Sequence, residues 1–254
     1  MIVSTIKVDS MVLHMPVELR LAMPFSVLKK DRKYRLLIAL HCAMTDGSFF
    51  FEKLHMLDYV DKYELVVIAP SLGNYFFMNS SAGKFADFLD HELFPMLTHV
   101  FPVLADRDNH YLLGISMGAF GAFQWYLRHP EYFRKAFLIS GYYDHNIPYD
   151  EKLPTQRLSC SLSKIIHPVM EGVVKEQGGG YDLYKSIDDF PYKKDGFVEF
   201  YCGDKDLLTL NQNIKISDYC RRAGIKITFH KVSGGHDIAA FKEAVDVALN
   251  RLDD

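Results

Sequence analysis

Apolar residues along this chain fall into short, nearly continuous runs, separated by stretches in which they recur every three or four positions. Residues 34–40 read Tyr-Arg-Leu-Leu-Ile-Ala-Leu and residues 65–69 read Leu-Val-Val-Ile-Ala. Runs of this length with so few polar interruptions are expected of strands covered on both faces. The segments 110–113, 136–139, 197–201 and 225–230 continue the series. Between strands, Phe85, Phe88, Leu89, Leu93, Phe94 and Leu97 lie at roughly helical intervals, with Asp87, Asp90 and Glu92 at other positions. That spacing predicts an amphipathic crossover helix. Segments 117–127, 211–222 and 238–252 predict three more. The alternation predicts an α/β fold, a predominantly parallel sheet flanked by helices on both faces.

Two weaker strand candidates, 2–8 and 17–23, are parted by Asp9, Ser10 and a less regular stretch, and read as an antiparallel edge to the parallel sheet. After Ser140 the rhythm breaks. Tyr142, Tyr143, Pro148, Pro154, the Gly178-Gly179-Gly180 run and Pro191 punctuate a loop-rich excursion around 141–196, with a helix expected near 162–176. Because the strand pattern resumes afterwards, residues 1–254 are read as a single domain carrying that excursion. A chain of 254 residues, 49% of them apolar, is long enough to bury one such core.

Charge and cysteine content narrow the functional classes. The formal charge of −3 comes from interspersed acidic and basic residues, which argues against a nucleic-acid partner. Cys42, Cys160, Cys202 and Cys220 are widely spaced with no CxxC pair, so reduced thiols are expected. Asp9 follows soon after a short apolar stretch at the N-terminus, and no later stretch reaches membrane-spanning length without polar interruption. The expectation is a soluble cytoplasmic protein with no membrane partner.

The chemistry is carried by Gly114-Ile115-Ser116-Met117-Gly118, which follows a predicted strand and opens a predicted helix. Gly-x-Ser-x-Gly in that setting is a nucleophile elbow: the glycines allow a tight strand-to-helix reversal and Ser116 occupies its apex. The helix start also leaves unpaired amides beside the serine, so Met117 N–H is the natural first oxyanion donor. The pattern does not reproduce Gly-x-Gly-x-x-Gly or a phosphate-binding lysine loop, and no nucleotide cofactor is expected.

A serine hydroxyl needs a histidine to take its proton and an acid to orient that histidine, in the chain order serine, acid, histidine. Gly203-Asp204-Lys205-Asp206 follows one late strand and Ser233-Gly234-Gly235-His236-Asp237 follows the next. His236 is the candidate base. Of the two acids, Asp206 is preferred because the loop must leave the sheet before a carboxylate turns back, while Asp204 suits the turn. His129 reads as a helix-end residue, and His91, His99 and His110 need no catalytic role. No short His-Glu-x-x-His or cysteine pairing suggests a metal site.

Taken together, the Leu40-His41 strand end, the elbow through Ala119-Phe120-Gly121, Arg128-His129-Pro130-Glu131-Tyr132-Phe133, Ser140-Gly141, Cys202 to Asp206 and Gly234-Gly235-His236 resemble the esterase D-like branch of the α/β-hydrolases. That branch includes tributyrin esterases, S-formylglutathione hydrolases and acetyl or feruloyl esterases. The resemblance covers most of the chain. It implies a cofactor-independent serine carboxylesterase acting on a small-molecule, short-chain acyl ester, with Ser116 as nucleophile, Asp206 as acid and His236 as base. It also implies a second oxyanion loop at Leu40-His41-Cys42-Ala43, with Ala43 N–H as donor and Cys42, which stands where the family has glycine, as a further contributor.

Phe49, Phe50, Phe51, Tyr75, Phe76, Phe77, Tyr142 and Tyr143 fall on loops expected near the strand ends. Of these, Phe49, Tyr75, Phe76, Tyr142 and Tyr143 are the candidates to line a substrate pocket, against the plainer reading that half or more fill the core. A thioesterase of the S-formylglutathione hydrolase type, a carbohydrate acetyl or feruloyl esterase, and a non-catalytic interaction protein with Cys42 obstructing the oxyanion site stand as alternatives.

Overall fold

The computed structural model describes residues 1–29, 31–143 and 182–253. The helix expected near 162–176, the glycine run at 178–180 and Cys160 lie outside the described residues.

Strands β1 (Ile2–Ser10) and β2 (Met15–Met23) form an antiparallel hairpin in the register Ile2↔Met23 to Ser10↔Met15. Exposure alternates along β1, as expected of a strand with one covered face. β2 also pairs antiparallel with β4 (Leu65–Ser71), and beyond it every pairing in the sheet is parallel. With β3 (Arg35–Leu40), a two-residue-a-side hairpin of β5 (Asn79–Ser80) and β6 (Gly83–Lys84), β7 (His110–Ile115), β8 (Lys135–Ile139), β9 (Phe197–Gly203) and β10 (Lys226–Val232), the main sheet runs β1-β2-β4-β3-β7-β8-β9-β10. This is the α/β-hydrolase arrangement, a mostly parallel sheet with the antiparallel edge formed by the two strands expected to form it.

The continuous apolar runs have a direct cause. Alternate residues of each strand enter different cores: Leu36, Ile38, Leu40, Leu112 and Leu138 lie in one, and Leu37, Ala39, Leu113, Phe137 and Ile139 in the other. The first core is completed by α3 (Phe85–Phe88), α4 (Phe94–Val100), α5 (Met117–Arg128), α6 (Leu183–Asp188) and α7 (Leu210–Arg222). The second is completed by α1 (Phe49–Glu52), α2 (Leu57–Val60) and α8 (Ile238–Asn250). The predicted crossover helix is three pieces, because a π-helical segment, Leu89–Leu93, separates α3 from α4. Phe94 N–H bonds back to Leu89 there, and the next residue, Pro95, has no N–H to resume the α-helical ladder at once. Among the described residues no helix is long and apolar enough to cross a membrane.

Candidate active site

β7 ends at Ile115, α5 begins at Met117, and the single residue between them turns the chain. Ser116 has φ 54° and ψ −113°, a conformation L-residues rarely adopt. Its backbone is fixed all the same: Ser116 N–H donates to Ile139 at 2.8 Å, and its carbonyl accepts from Ala119, Phe120 and Tyr142 at 3.1, 3.3 and 3.3 Å. Gly118 is required by close approach, since a Cβ there would meet the Leu40 carbonyl oxygen at 2.0 Å. The end of β3 thus runs directly against the first turn of α5.

The loops after β9 and β10 supply the partners. His236 Nε2 lies 3.0 Å from Ser116 Oγ, and His236 Nδ1 lies 2.8 Å from Asp206 Oδ2. The two loops are tied to each other: Lys205 N–H donates to the Gly234 carbonyl at 2.8 Å, and Gly234 N–H donates to Asp204 Oδ1 at 3.0 Å. A Cβ at Gly203 would meet the carbonyl oxygens of Gly234 and Gly235 at 2.5 and 2.6 Å, so the absence of a side chain there lets the loops lie together. Asp204 is accordingly a loop tie, and Asp206 faces the histidine. The cap of α8 is Asp237, whose carboxylate accepts from Ala240 N–H, which leaves the His236 ring to the site.

Asp206 is held by more than His236. Its Oδ1 accepts from Leu208 and Thr209 amides at 3.0 and 2.9 Å, and its Oδ2 accepts from Thr209 Oγ1 at 2.7 Å. Burial pushes the carboxyl up, but the hydrogen bond and charge of His236, with the Thr209 donors, outweigh it and hold the group at about 2. Thr209 carries no mark in the sequence, since a Thr three residues after an acid has many ordinary uses, and the contact of Cys202 Sγ with Asp206 Oδ2 at 3.6 Å is a product of the fold. Burial and Asp206 together push the Cys202 thiol up to about 12.

The loop Leu40-His41-Cys42-Ala43 passes over the elbow. Among the described residues, the Cys42, Ala43 and Met117 amides donate to no protein acceptor. Cys42 does not take a positive φ; Met44 does, at 62°, so cysteine is compatible with the turn. The Cys42 side chain is buried, and burial raises its thiol, with Thr45 Oγ1 at 3.4 Å from Sγ. That is an inert thiol rather than a nucleophile.

The aromatic candidates separate by position. Phe49 packs edge-on against Phe50 in the second core, and Tyr75 stacks on Phe85 at 4.5 Å. Tyr143 turns inward against Phe123 and Phe200 and is buried. Phe76 lies against Phe120 and Tyr142, the latter of which bonds through its amide to the Ser116 carbonyl. Asn213 fixes the same loop, its amide bonding both N–H and C=O of Gly141 at 3.1 and 2.8 Å.

The chain matches the model of the family described as "Putative esterase" over residues 60–252. An acetyl esterase of Caldicellulosiruptor saccharolyticus is 22% identical over 184 residues, which cover 69% of this chain and 67% of that protein. Among solved structures, an S-formylglutathione hydrolase from Staphylococcus aureus superposes with a TM-score of 0.81 at 21% identity, over 99% of this chain and 98% of that one. A ferulic acid esterase superposes with a TM-score of 0.78 at 23% identity, over 99% and 96%. With the family model spanning most of the chain and the hydrolase sheet order beneath it, the protein belongs to this esterase family of α/β-hydrolases, enzymes that cleave carboxylic esters of small molecules.

Proposed function

We propose that the protein is a serine carboxylesterase working through Ser116, His236 and Asp206, with short-chain acyl esters as substrates. The observation that carries this reading is the unbroken hydrogen-bond chain from Ser116 Oγ through both nitrogens of His236 to Asp206. His236 Nδ1–H donates to Asp206, which leaves Nε2 to accept the Ser116 proton. Ser116 Oγ attacks the ester carbonyl as that proton passes to His236, and the oxyanion is met by Met117 N–H and Ala43 N–H. The imidazolium then returns the proton to the departing alcohol. Water, deprotonated by the same nitrogen, attacks the acyl-enzyme, and Ser116 leaves as the hydroxyl with the proton restored. Phe76 and Tyr142, against the elbow, form one wall of the acyl pocket. The acetyl esterase relative supports a small acyl group.

The test is initial-rate hydrolysis of p-nitrophenyl acetate, butyrate and octanoate by the wild type and by folded Ser116→Ala. Saturable turnover that falls from acetate or butyrate to octanoate and disappears in the variant is expected. Turnover of S-acylglutathione thioesters in preference to all three esters would transfer the same residues to a thioesterase. Ester hydrolysis that persists in Ser116→Ala would remove Ser116 as nucleophile.

A further inference from the structure

The Cys42–Ala43 peptide is gripped by its carbonyl. Cys42 O accepts from two side chains, His41 Nδ1 at 2.8 Å and Thr45 Oγ1 at 2.8 Å. His41 is itself fully buried, with Phe77 edge-on at 5.3 Å, and its Nε2 accepts the Leu72 N–H at 3.3 Å. A ring nitrogen that accepts a backbone N–H carries no proton, so Nδ1 must be the donor to Cys42. Burial favours the neutral ring this arrangement requires. The loop after the gripped peptide is anchored as well: Met44 N–H donates to Asn74 Oδ1 at 2.7 Å, and Gly47 N–H to Ser71 Oγ at 3.1 Å.

A trans peptide points its C=O and N–H in opposite directions. Fixing the Cys42 oxygen therefore fixes the direction of the Ala43 N–H, which has no acceptor among the described residues. Two donors on the carbonyl also polarise the amide and make its N–H a stronger donor. We infer that His41 and Thr45 are positioning residues, which aim the Ala43 N–H at the ester oxygen as it becomes an oxyanion. The inference rests on the Ser116 reading above. It supplies the rigidity of the second oxyanion donor in a loop that has cysteine at position 42.

The test compares wild type, Thr45→Val, Thr45→Ser and His41→Asn on p-nitrophenyl butyrate, with inhibition by a trifluoromethyl ketone that forms a tetrahedral adduct. Loss of an entire oxyanion donor costs on the order of 100-fold in kcat. Loosening one through Thr45→Val is expected to lower kcat about tenfold and weaken the ketone to the same extent, with KM nearly unchanged. Thr45→Ser, which keeps the hydroxyl, restores both. His41→Asn, which keeps a nitrogen donor near the Nδ1 position, falls between them. Wild-type kcat and ketone affinity in Thr45→Val, alongside dead Ser116→Ala, would overturn the positioning role and leave the nucleophile standing. A loss in Thr45→Val that Thr45→Ser does not restore would assign Thr45 to packing instead. Full activity in Ser116→Ala would remove both readings together.

Discussion

His236 Nδ1, Thr209 Oγ1 and two backbone amides converge on the Asp206 carboxylate, and a thiol lies at its edge. In the proposed mechanism only the first of these donors has a part in the proton path; the others hold the acid against the pull of the buried site. Replacing the carboxylate by an amide keeps its shape, but with Oδ1 still accepting the two backbone amides it puts an NH2 at the Oδ2 position, against both His236 Nδ1 and Thr209 Oγ1. In Asp206→Asn the amide nitrogen would face His236 Nδ1, the ring proton would move to Nε2, and Ser116 would lose its acceptor. A loss of roughly 10⁴-fold in kcat with the fold retained is expected, read by initial rates and circular dichroism. The wild-type acid limb has a definite sign. Asp206 is held at about 2, below the unfolded carboxylate, so it contributes stability that is present above about pH 4 and lost as pH falls towards 2. Ser116, Asp206 and His236 were legible as candidates because motif, chain order and loop position each restrict them. Thr209 and the His41 grip were not, since their contacts depend on how loops fold back, which no local pattern records.

At the scale of elements, the same apolar spacing that announced a helix over Phe85 to Leu97 left its π-helical interruption invisible. Both windings place Phe88, Leu89 and Leu93 inward, so periodicity cannot separate them. What the interruption carries is Asp90, which meets Arg128 at 3.2 Å and His129 Nε2 at 3.2 Å at the end of α5, while Glu131 meets His129 Nδ1 at 3.0 Å. His129 thus does more than end a helix: it ties the C-terminus of the elbow helix to the crossover. Burial and Arg128 oppose its charge, but the hydrogen bonds of Asp90 and Glu131 and the charge of Asp90 outweigh them and raise its pKa. A raised histidine stabilises the fold fully below its unfolded value near 6.5, and loses that contribution as pH rises through the folded value. Urea unfolding between pH 6 and pH 9 should therefore show a decline in stability in the wild type that is flattened in His129→Gln. An equal decline in both proteins would show that the pair with Asp90 does not couple to folding.

Across the whole molecule, the site depends on β9 and β10 ending side by side, because Asp206 follows one and His236 the other. Their pairing, Phe197↔Lys226 to Gly203↔Val232, could slip by one residue only by turning every side chain to the opposite face. A buried ionic cluster resists that slip. Glu199 on β9 meets Lys135 Nζ on β8 at 3.0 Å, Arg251 Nε beyond α8 at 3.4 Å and His230 Nε2 on β10 at 3.8 Å, and it accepts from Tyr201 OH. Lys135 Nζ also donates to the Arg251 carbonyl at 3.0 Å, which draws the end of the chain onto the sheet. Sequence reading marked this stretch as strand by its apolar neighbours and had no means of seeing that its charged residues meet, because they come from four elements far apart in the chain. Lys135→Met removes the one fully buried cation from Glu199 and leaves it to the partly exposed Arg251 and His230, so it should cost about 3 kcal/mol in urea unfolding, the low end for a broken buried pair. Lys135→Met combined with Glu199→Leu should cost markedly less than the sum of the two single changes. Folded Lys135→Met should keep nearly wild-type kcat on p-nitrophenyl butyrate, since the remaining strand pairing still brings Asp206 to His236. Additive costs in the double-mutant cycle would deny the pair its coupling, whereas a kcat that collapses while stability is unchanged would place the cluster in catalysis rather than in the register of the sheet.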